Sequence, residues 1–169
     1  LATLHSAVRA VGGDKPDGTI ISIRFDEVSG ELLKQMNARA KEANLTLLHP
    51  VFKFTLIVEA GGKTQQVSDF GRTYVTRTLT MDGTIDPSGA TAVTFDQTTG
   101  SFAFAPAVFA IANGTTTVAV KHSGNGIYAV VEAAKSFSDL AHHWAKADIE
   151  LMAAKQIVKG QTDSRFAPD

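Results

Sequence analysis

Apolar and polar positions alternate in Thr19–Phe25 (TIISIRF), with Ile21, Ile23 and Phe25 on one side, and this pattern predicts a strand. The period then changes. In Gly30–Asn44 (GELLKQMNARAKEAN), Leu32, Leu33, Met36, Ala40 and Ala43 recur at steps of three and four. Lys34, Gln35, Arg39, Lys41 and Glu42 fill the opposite side, so the stretch predicts an amphipathic helix. Ser29 is placed to cap its start, Glu31 sits where an acid favours the helix dipole, and Asn44 suits a left-handed exit. Upstream, Leu1, Leu4, Val8 and Val11 fit either a short helix or a strand remnant. The stretch Gly12–Gly18 (GGDKPDG) has the Gly, Pro and Asp content of a loop.

Beyond the helix the pattern is β. Phe52, Phe54, Leu56 and Val58 alternate with Lys53, Thr55, Ile57 and Glu59, and Gly61-Gly62 reads as a hairpin turn into KTQQV. Tyr74–Met81, Thr91–Phe95, Ser101–Ala105, Thr115–Lys121 and Ile127–Val131 follow, separated by the turn sequences DGTIDPSG, DQTTG, ANG and SGNG. Short strands at even spacing predict an α+β, mostly β fold: an antiparallel β-sandwich with one amphipathic helix covering a face or an end. Alternation places Phe102 and Phe104 together on a buried face.

The period becomes helical again after residue 132. The expected organisation is a sandwich-like module over 1–132, a short linker over 133–136 and a helical segment over 137–169. Trp144, Ala145, Ile149, Leu151 and Met152 make an apolar stripe, with Lys146, Asp148, Glu150 and Lys155 outside it. Ser138 and Asp139 are capping residues, Ile157 and Val158 extend the apolar run, Gly160 permits a sharp exit, and Phe166 and Pro168 lie beyond a polar loop. A lone helix of this kind must dock on the strands, on a further helix or on another copy of the chain.

Composition narrows the functional classes. Of 169 residues 44% are hydrophobic, enough for a true core, and 10 Phe against 2 Tyr and 1 Trp make that core Phe-based. A net charge of -1 argues against nucleic-acid and anionic-membrane partners. With no Cys, disulfides, thiolate catalysis and Cys-ligated zinc are excluded. No stretch has the length of a membrane span. The first and last residues read as cuts within a longer protein.

The chemistry-bearing residues form no strong constellation. His142 and His143 adjoin Trp144, with Asp139 nearby, but adjacent side chains diverge on a helix and no third strong ligand is close in sequence, so no metal is expected. Asp82, Asp86 and Asp96 sit in turns that lack the alternating acids of a calcium loop. Glu27, Glu59, Asp69 and Glu132 would have to pair across a cleft to serve a glycosidase. No nucleophile elbow, phosphate loop or dinucleotide fingerprint occurs, so neither catalysis nor a cofactor is expected. Tyr74, Tyr128, Phe70 and Phe109 are the strand-region aromatics that could stack on sugar, Phe102 and Phe104 being set aside by their alternation.

The terminal stretch resembles the S-layer homology motif of bacterial cell-surface proteins. The residues that carry the likeness are Phe137-x-Asp139, His143-Trp144-Ala145, Ile149, Leu151, Ile157-Val158-x-Gly160 and Phe166-x-Pro168. The resemblance implies a first helix and following loop of one repeat; in the family a second helix opens with Ile-Thr-Arg-Ala-Glu, and three repeats together bind secondary polymers of the Gram-positive cell wall. It implies Asp139 and Trp144 as candidate wall-polymer contacts, and Phe137, Ile149, Leu151, Gly160, Phe166 and Pro168 as structural anchors. At Trp144 the apolar stripe favours a core anchor over a ligand platform. The stretches PVFKFTLIVEAGGKTQQVSDFGRTYVTRTLTMDGTID, TAVTFDQTTGSFAFAPAVF and GNGIYAVVE resemble a module found before such repeats in secreted surface proteins and glycan-active enzymes. The resemblance implies an extracellular, non-enzymatic module at the cell wall or S-layer of a Gram-positive-type bacterium, joined to a wall anchor. The alternative is a carbohydrate-binding accessory domain of a secreted polysaccharide-degrading enzyme. Self-association through the C-terminal helix is a further expectation.

Overall fold

The computed structural model describes residues 2–13 and 18–168, without the side chains of residues 2 and 3. Most of the predicted Gly12–Gly18 loop lies outside the described residues. The elements run α1 (Ala2–Gly12), β1 (Ile20–Glu27), α2 (Gly30–Glu42), β2 (Thr46–Ala60), β3 (Lys63–Val67), β4 (Val75–Asp82), β5 (Ala90–Asp96), β6 (Ser101–Ala105), β7 (Ala107–Ala112), β8 (Thr115–His122) and β9 (Gly126–Glu132). A single 3-10 turn (Ser138–Leu140) and α3 (Lys146–Ala154) close the chain. The larger antiparallel sheet has the order β1-β2-β9-β5-β6, with β3 pairing the far end of β2; the smaller has the order β4-β8-β7. The fold is therefore the expected mostly-β sandwich. It carries a second amphipathic helix in its first part, because the Leu4, Val8 and Val11 pattern is helical rather than a strand remnant.

Strand β9 lies in the middle of the larger sheet. Ile127, Ala129 and Val131 face the layer of α2, where they meet Met36, Ala40, Leu47 and Val93. Tyr128 and Val130 face the smaller sheet and meet Leu79, Met81, Val118 and Val120. A strand buried on both faces cannot alternate apolar with polar, which explains the nearly continuous apolar run GIYAVVE. The molecule is thus three layers deep: α2, the larger sheet and the smaller sheet. Ser29 occupies the position before α2 but makes no side-chain cap bond. Asn44 does take the left-handed conformation, with φ 55°.

Strand β2 is fifteen residues long, roughly 50 Å at 3.3 Å per residue, and outruns the smaller sheet. Phe52 and Phe54 pack in the intersheet core, whereas Leu56 and Val58 further along are covered by Ala7, Leu4, Val8 and Val11 of α1 and by Val67. β1 pairs the outer edge of β2 and is covered by neither layer, so its apolar residues are exposed.

The strand β7 has no counterpart in the sequence-based expectation. AVFAIA follows SFAFA with Pro106 alone between them, so no turn signal marks the point where the chain leaves one sheet for the other. Pro106 donates no backbone hydrogen bond but its carbonyl accepts from Lys121 N at 2.8 Å. The expected burial of Phe104 with Phe102 is also corrected. β6 is the outer strand of its sheet, so Phe104 is exposed, while Phe102 reaches Phe95, ring centroids 5.0 Å apart.

One cation ties the two sheets together. Arg77 on β4 is 5% exposed. Its guanidinium lies 4.9 Å from the ring centroid of Tyr128 and 5.4 Å from that of Phe54, both on the opposite sheet. It donates to His122 O at 2.9 Å and to Asn125 Oδ1 at 2.7 Å, and Asn125 Nδ2 donates onward to Val67 O at 3.0 Å. Burial lowers the Arg77 pKa, partly offset by Tyr128, and raises that of Tyr128. Replacing Asn125 by Ala strands the Val67 carbonyl and one guanidinium nitrogen without their partners. The expected loss is about 1–3 kcal/mol of unfolding free energy. Urea denaturation checks it, and an unchanged midpoint would show the network to be dispensable.

Candidate functional site

The C-terminal segment builds a small core of its own. Phe137, Leu140 and Ala153 are buried together, with Ile149, Val158 and Phe166 packed against them. The rings of Phe137 and Phe166 sit 5.5 Å apart. The returning loop is held by the backbone: Ser138 N donates to Ser164 O at 2.9 Å, and Thr162 N to Arg165 O at 3.0 Å. Glu150 on α3 reaches back to accept from Phe137 N and Ser136 Oγ, each at 3.0 Å. Gly160 is required by proximity. A Cβ there would stand 2.5 Å from Phe137 Cε1, 2.6 Å from Thr162 O and 2.7 Å from Arg165 O.

Asp139 anchors the loop rather than capping the helix. Its carboxylate accepts from Ala167 N at 2.7 Å and from Phe166 N at 3.0 Å, with Arg165 Nε at 3.9 Å. Partial burial pushes this carboxyl up, but the two backbone N–H groups and the Arg165 charge outweigh it and hold the carboxyl below the usual carboxylate range. The segment also docks on the strands. Ala154 joins the core beneath α2 beside Ala133, Lys155 Nζ donates to Pro87 O at 2.7 Å, and Lys135 pairs with Asp163 at 3.6 Å.

Trp144 stands outside all of this. The helix begins two residues later than the apolar stripe suggested, so Trp144 lies in the preceding turn and is 90% exposed. A core-anchor role is thereby corrected: the helical spacing was real in sequence, but the backbone there is a turn. The Trp144 ring stacks on His143, centroids 5.7 Å apart and 27° between planes. His143 Nδ1 accepts from Ala145 N at 3.2 Å, which fixes the imidazole beneath it. Leu151, expected as an anchor, points outward with Met152 and Ile157; Pro168 is half-buried at the end of the loop.

The other candidate residues do not converge. Glu27 and Glu59 sit at opposite ends of the eight-residue β1–β2 ladder, and Glu132 is at the far end of β2, opposite Thr46. Asp69 accepts from Gly71 N at 2.7 Å within its own turn. Asp86 accepts from Ser88 N and Oγ, and Asp96 from Thr98 N and Thr99 N. These donors, backbone N–H first, lower both carboxyl pKa values, so the two aspartates serve their turns. Among the described residues no group of three or more His, Asp or Glu gathers. Of the aromatics considered for sugar, Tyr128 is fully buried, Phe70 and Phe109 are half-buried against the α1 and intersheet clusters, and Tyr74 stands exposed.

Residues 136–169 match the family model of the S-layer homology domain. The chain therefore carries an S-layer homology segment, which implies association with the cell surface or S-layer. In addition, 92 residues are 30% identical to an amylopullulanase of Thermoanaerobacterium thermosulfurigenes, covering 54% of this chain and 5% of that protein. The chain thus spans about a twentieth of the length of that relative. An alignment of 92 residues is longer than the S-layer homology match, so it takes in part of the β-rich region as well. No solved structure matches the chain. Among the described residues no helix is long and apolar enough to cross a membrane.

Two outcomes test this geometry. Gly160→Ala forces the loop off Phe137, a crowding cost of about 1–3 kcal/mol, and should speed amide exchange across 137–168 while β9 keeps its protection. Asp139 contributes stability that is present above its unfolded pKa and is lost as pH falls through its lower folded value. Protection of the Phe166 and Ala167 amides should therefore hold from neutral pH to about pH 4 and decline below it, a decline absent in Asp139→Asn.

Proposed function

We propose that this chain is the junction between a secreted surface protein and its wall anchor. In this reading residues 1–132 form a non-enzymatic spacer module, 133–136 a short linker, and 137–169 the opening half of an S-layer homology repeat on a Gram-positive-type wall. The observation that carries it is the contrast within the terminal segment. Its small core is complete, yet its largest side chain, Trp144, is held out in solvent on a fixed histidine. Burying so large an aromatic is favourable, and an exposed ring stacked on a neighbour is a feature that glycan recognition uses. Trp144 is the proposed contact with wall polymer. Asp139 is a positioning residue, its oxygens already taken by the loop that it holds.

The identity to an amylopullulanase favours a second reading, an accessory sugar-binding module of a polysaccharide-degrading enzyme. Burial of Tyr128 and the half-burial of Phe70 take away two of the aromatics that this reading would use.

Co-sedimentation with purified Gram-positive cell walls, before and after acid removal of secondary polymers, separates the readings. Three proteins are compared: this chain, a form ending at Ala134, and a form extended through three complete repeats. The expected result is that the extended form alone sediments, and with intact polymer alone. Trp144→Ala in the extended form should weaken wall binding about three- to tenfold. Binding by the form ending at Ala134, or binding that survives polymer removal, would assign glycan recognition to the strands and overturn the spacer role.

A further inference from the structure

β1 is an edge strand with an uncovered apolar face. Ile21, Ile23 and Phe25 project from one side and are 48%, 77% and 49% exposed. Its ladder with β2 runs unbroken from Ile20 to Glu27, and β1 is paired with β2 alone among the described residues. Among the described residues no strand pairs with the outer backbone edge of β1. Folded proteins blunt such edges with charged side chains, Pro, bulges or very short strands, because a straight apolar edge pairs with another strand; the charges on β1 lie towards its C-terminal end. β1 has eight residues, no Pro and no register shift.

The charges on β1 say which strand fits. Arg24 and Asp26 lie on the face opposite Ile21, Ile23 and Phe25, both exposed, two residues apart with Phe25 between them. An antiparallel copy of β1 related by a two-fold axis at Phe25 would set Arg24 opposite the copy's Asp26, and Asp26 opposite the copy's Arg24. The same register pairs residues 23–27 of the two copies, leaves 20–22 beyond the shared ladder, and puts Phe25 against its own copy, at the rim of an aromatic cluster in which Phe25 already stacks on Phe52 at 4.5 Å and meets Phe54 at 4.6 Å. Any other antiparallel register loses both charge pairs. β7 is also an apolar edge, with Val108 and Ile111 exposed, but its six residues carry no charge that would select a partner.

We infer that β1 is a homodimer edge: two copies of this chain join antiparallel through β1, centred on Phe25, with reciprocal Arg24–Asp26 pairs and a sheet continuous across the two-fold axis. The contact requires nothing of the C-terminal segment, so it stands apart from the wall-anchoring reading and replaces α3 as the self-association surface. A single short strand with two rim charge pairs makes a small interface, so the dimer is weak, with a Kd between about 1 µM and about 1 mM.

Sedimentation equilibrium of the whole chain up to about 1 mM tests it, with each variant's fold checked by circular dichroism. The expected result is a reversible monomer–dimer equilibrium. R24D alone, or D26R alone, turns both attractive pairs repulsive and should raise Kd about tenfold or more. The double exchange R24D/D26R restores opposite charges in this register and should return Kd to within about threefold of the parent. Leu151→Lys with Met152→Lys on α3 should leave Kd unchanged. A chain that stays monomeric throughout, single reversals without effect, a double exchange that fails to rescue, or loss of the dimer through the α3 changes would each overturn the assignment.

Discussion

Burying β9 on both faces is the constraint from which the rest of the architecture follows. A strand whose alternate residues Ile127, Ala129, Val131 and Tyr128, Val130 are all withdrawn from water needs an apolar layer on each side. α2 supplies one and the three-stranded sheet the other. The layers must also stay in register, and here the polar network matters more than its size suggests. Arg77 crosses from the smaller sheet to the rings of Phe54 and Tyr128 on the larger, and its remaining bonds run to backbone and to Asn125. A buried cation without its partners is costly, so the two sheets hold to the one alignment that satisfies it.

The larger sheet extends beyond the cover it is given. The smaller sheet covers the part of β2 around Phe52 and Phe54, and α1 covers the part around Leu56 and Val58. β1, one strand further out, receives neither, and its apolar residues stay in water at a cost of roughly 25 cal/mol for each Å² left uncovered. The C-terminal segment shows the same division on a smaller scale. Its returning loop covers Phe137 and Leu140, and Ala154 joins the core beneath α2, yet Trp144, Leu151, Met152 and Ile157 remain outside. Both surfaces are left uncovered by the described part of the chain, one at a strand edge and one at an aromatic ring and a helix face.

Much of the fold was legible in the sequence. The period-two stretches and Gly-rich turns marked eight of the nine strands among the described residues, and the three-and-four spacing marked α2 together with its left-handed exit at Asn44. Such signals are local, because side-chain periodicity and positive φ depend on a few neighbouring residues. Where the determinant was distant the reading failed. β7 is separated from β6 by Pro106 alone, and the change of sheet there is set by partners far along the chain. Phe104 alternates like a buried residue and is exposed, because β6 happens to be the last strand of its sheet.

The terminal segment divides in the same way. Its kinship is written in the order of residues, since a set of Phe, Asp, Trp, Gly and Pro spacings is a property of the chain and not of its folding. Composition likewise excludes chemistry without reference to shape: a chain lacking cysteine has no thiolate or disulfide to offer, and one of near-zero net charge has no bulk attraction to polyanions. What the individual residues do is another matter, and it followed from tertiary packing. Asp139 became a clasp on Phe166 and Ala167, more than twenty-five residues away, and Trp144 left the apolar stripe for solvent because α3 starts after it. The reason is physical. Spacing states which side chains could share a face, but burial and hydrogen bonding depend on which distant groups arrive to cover them.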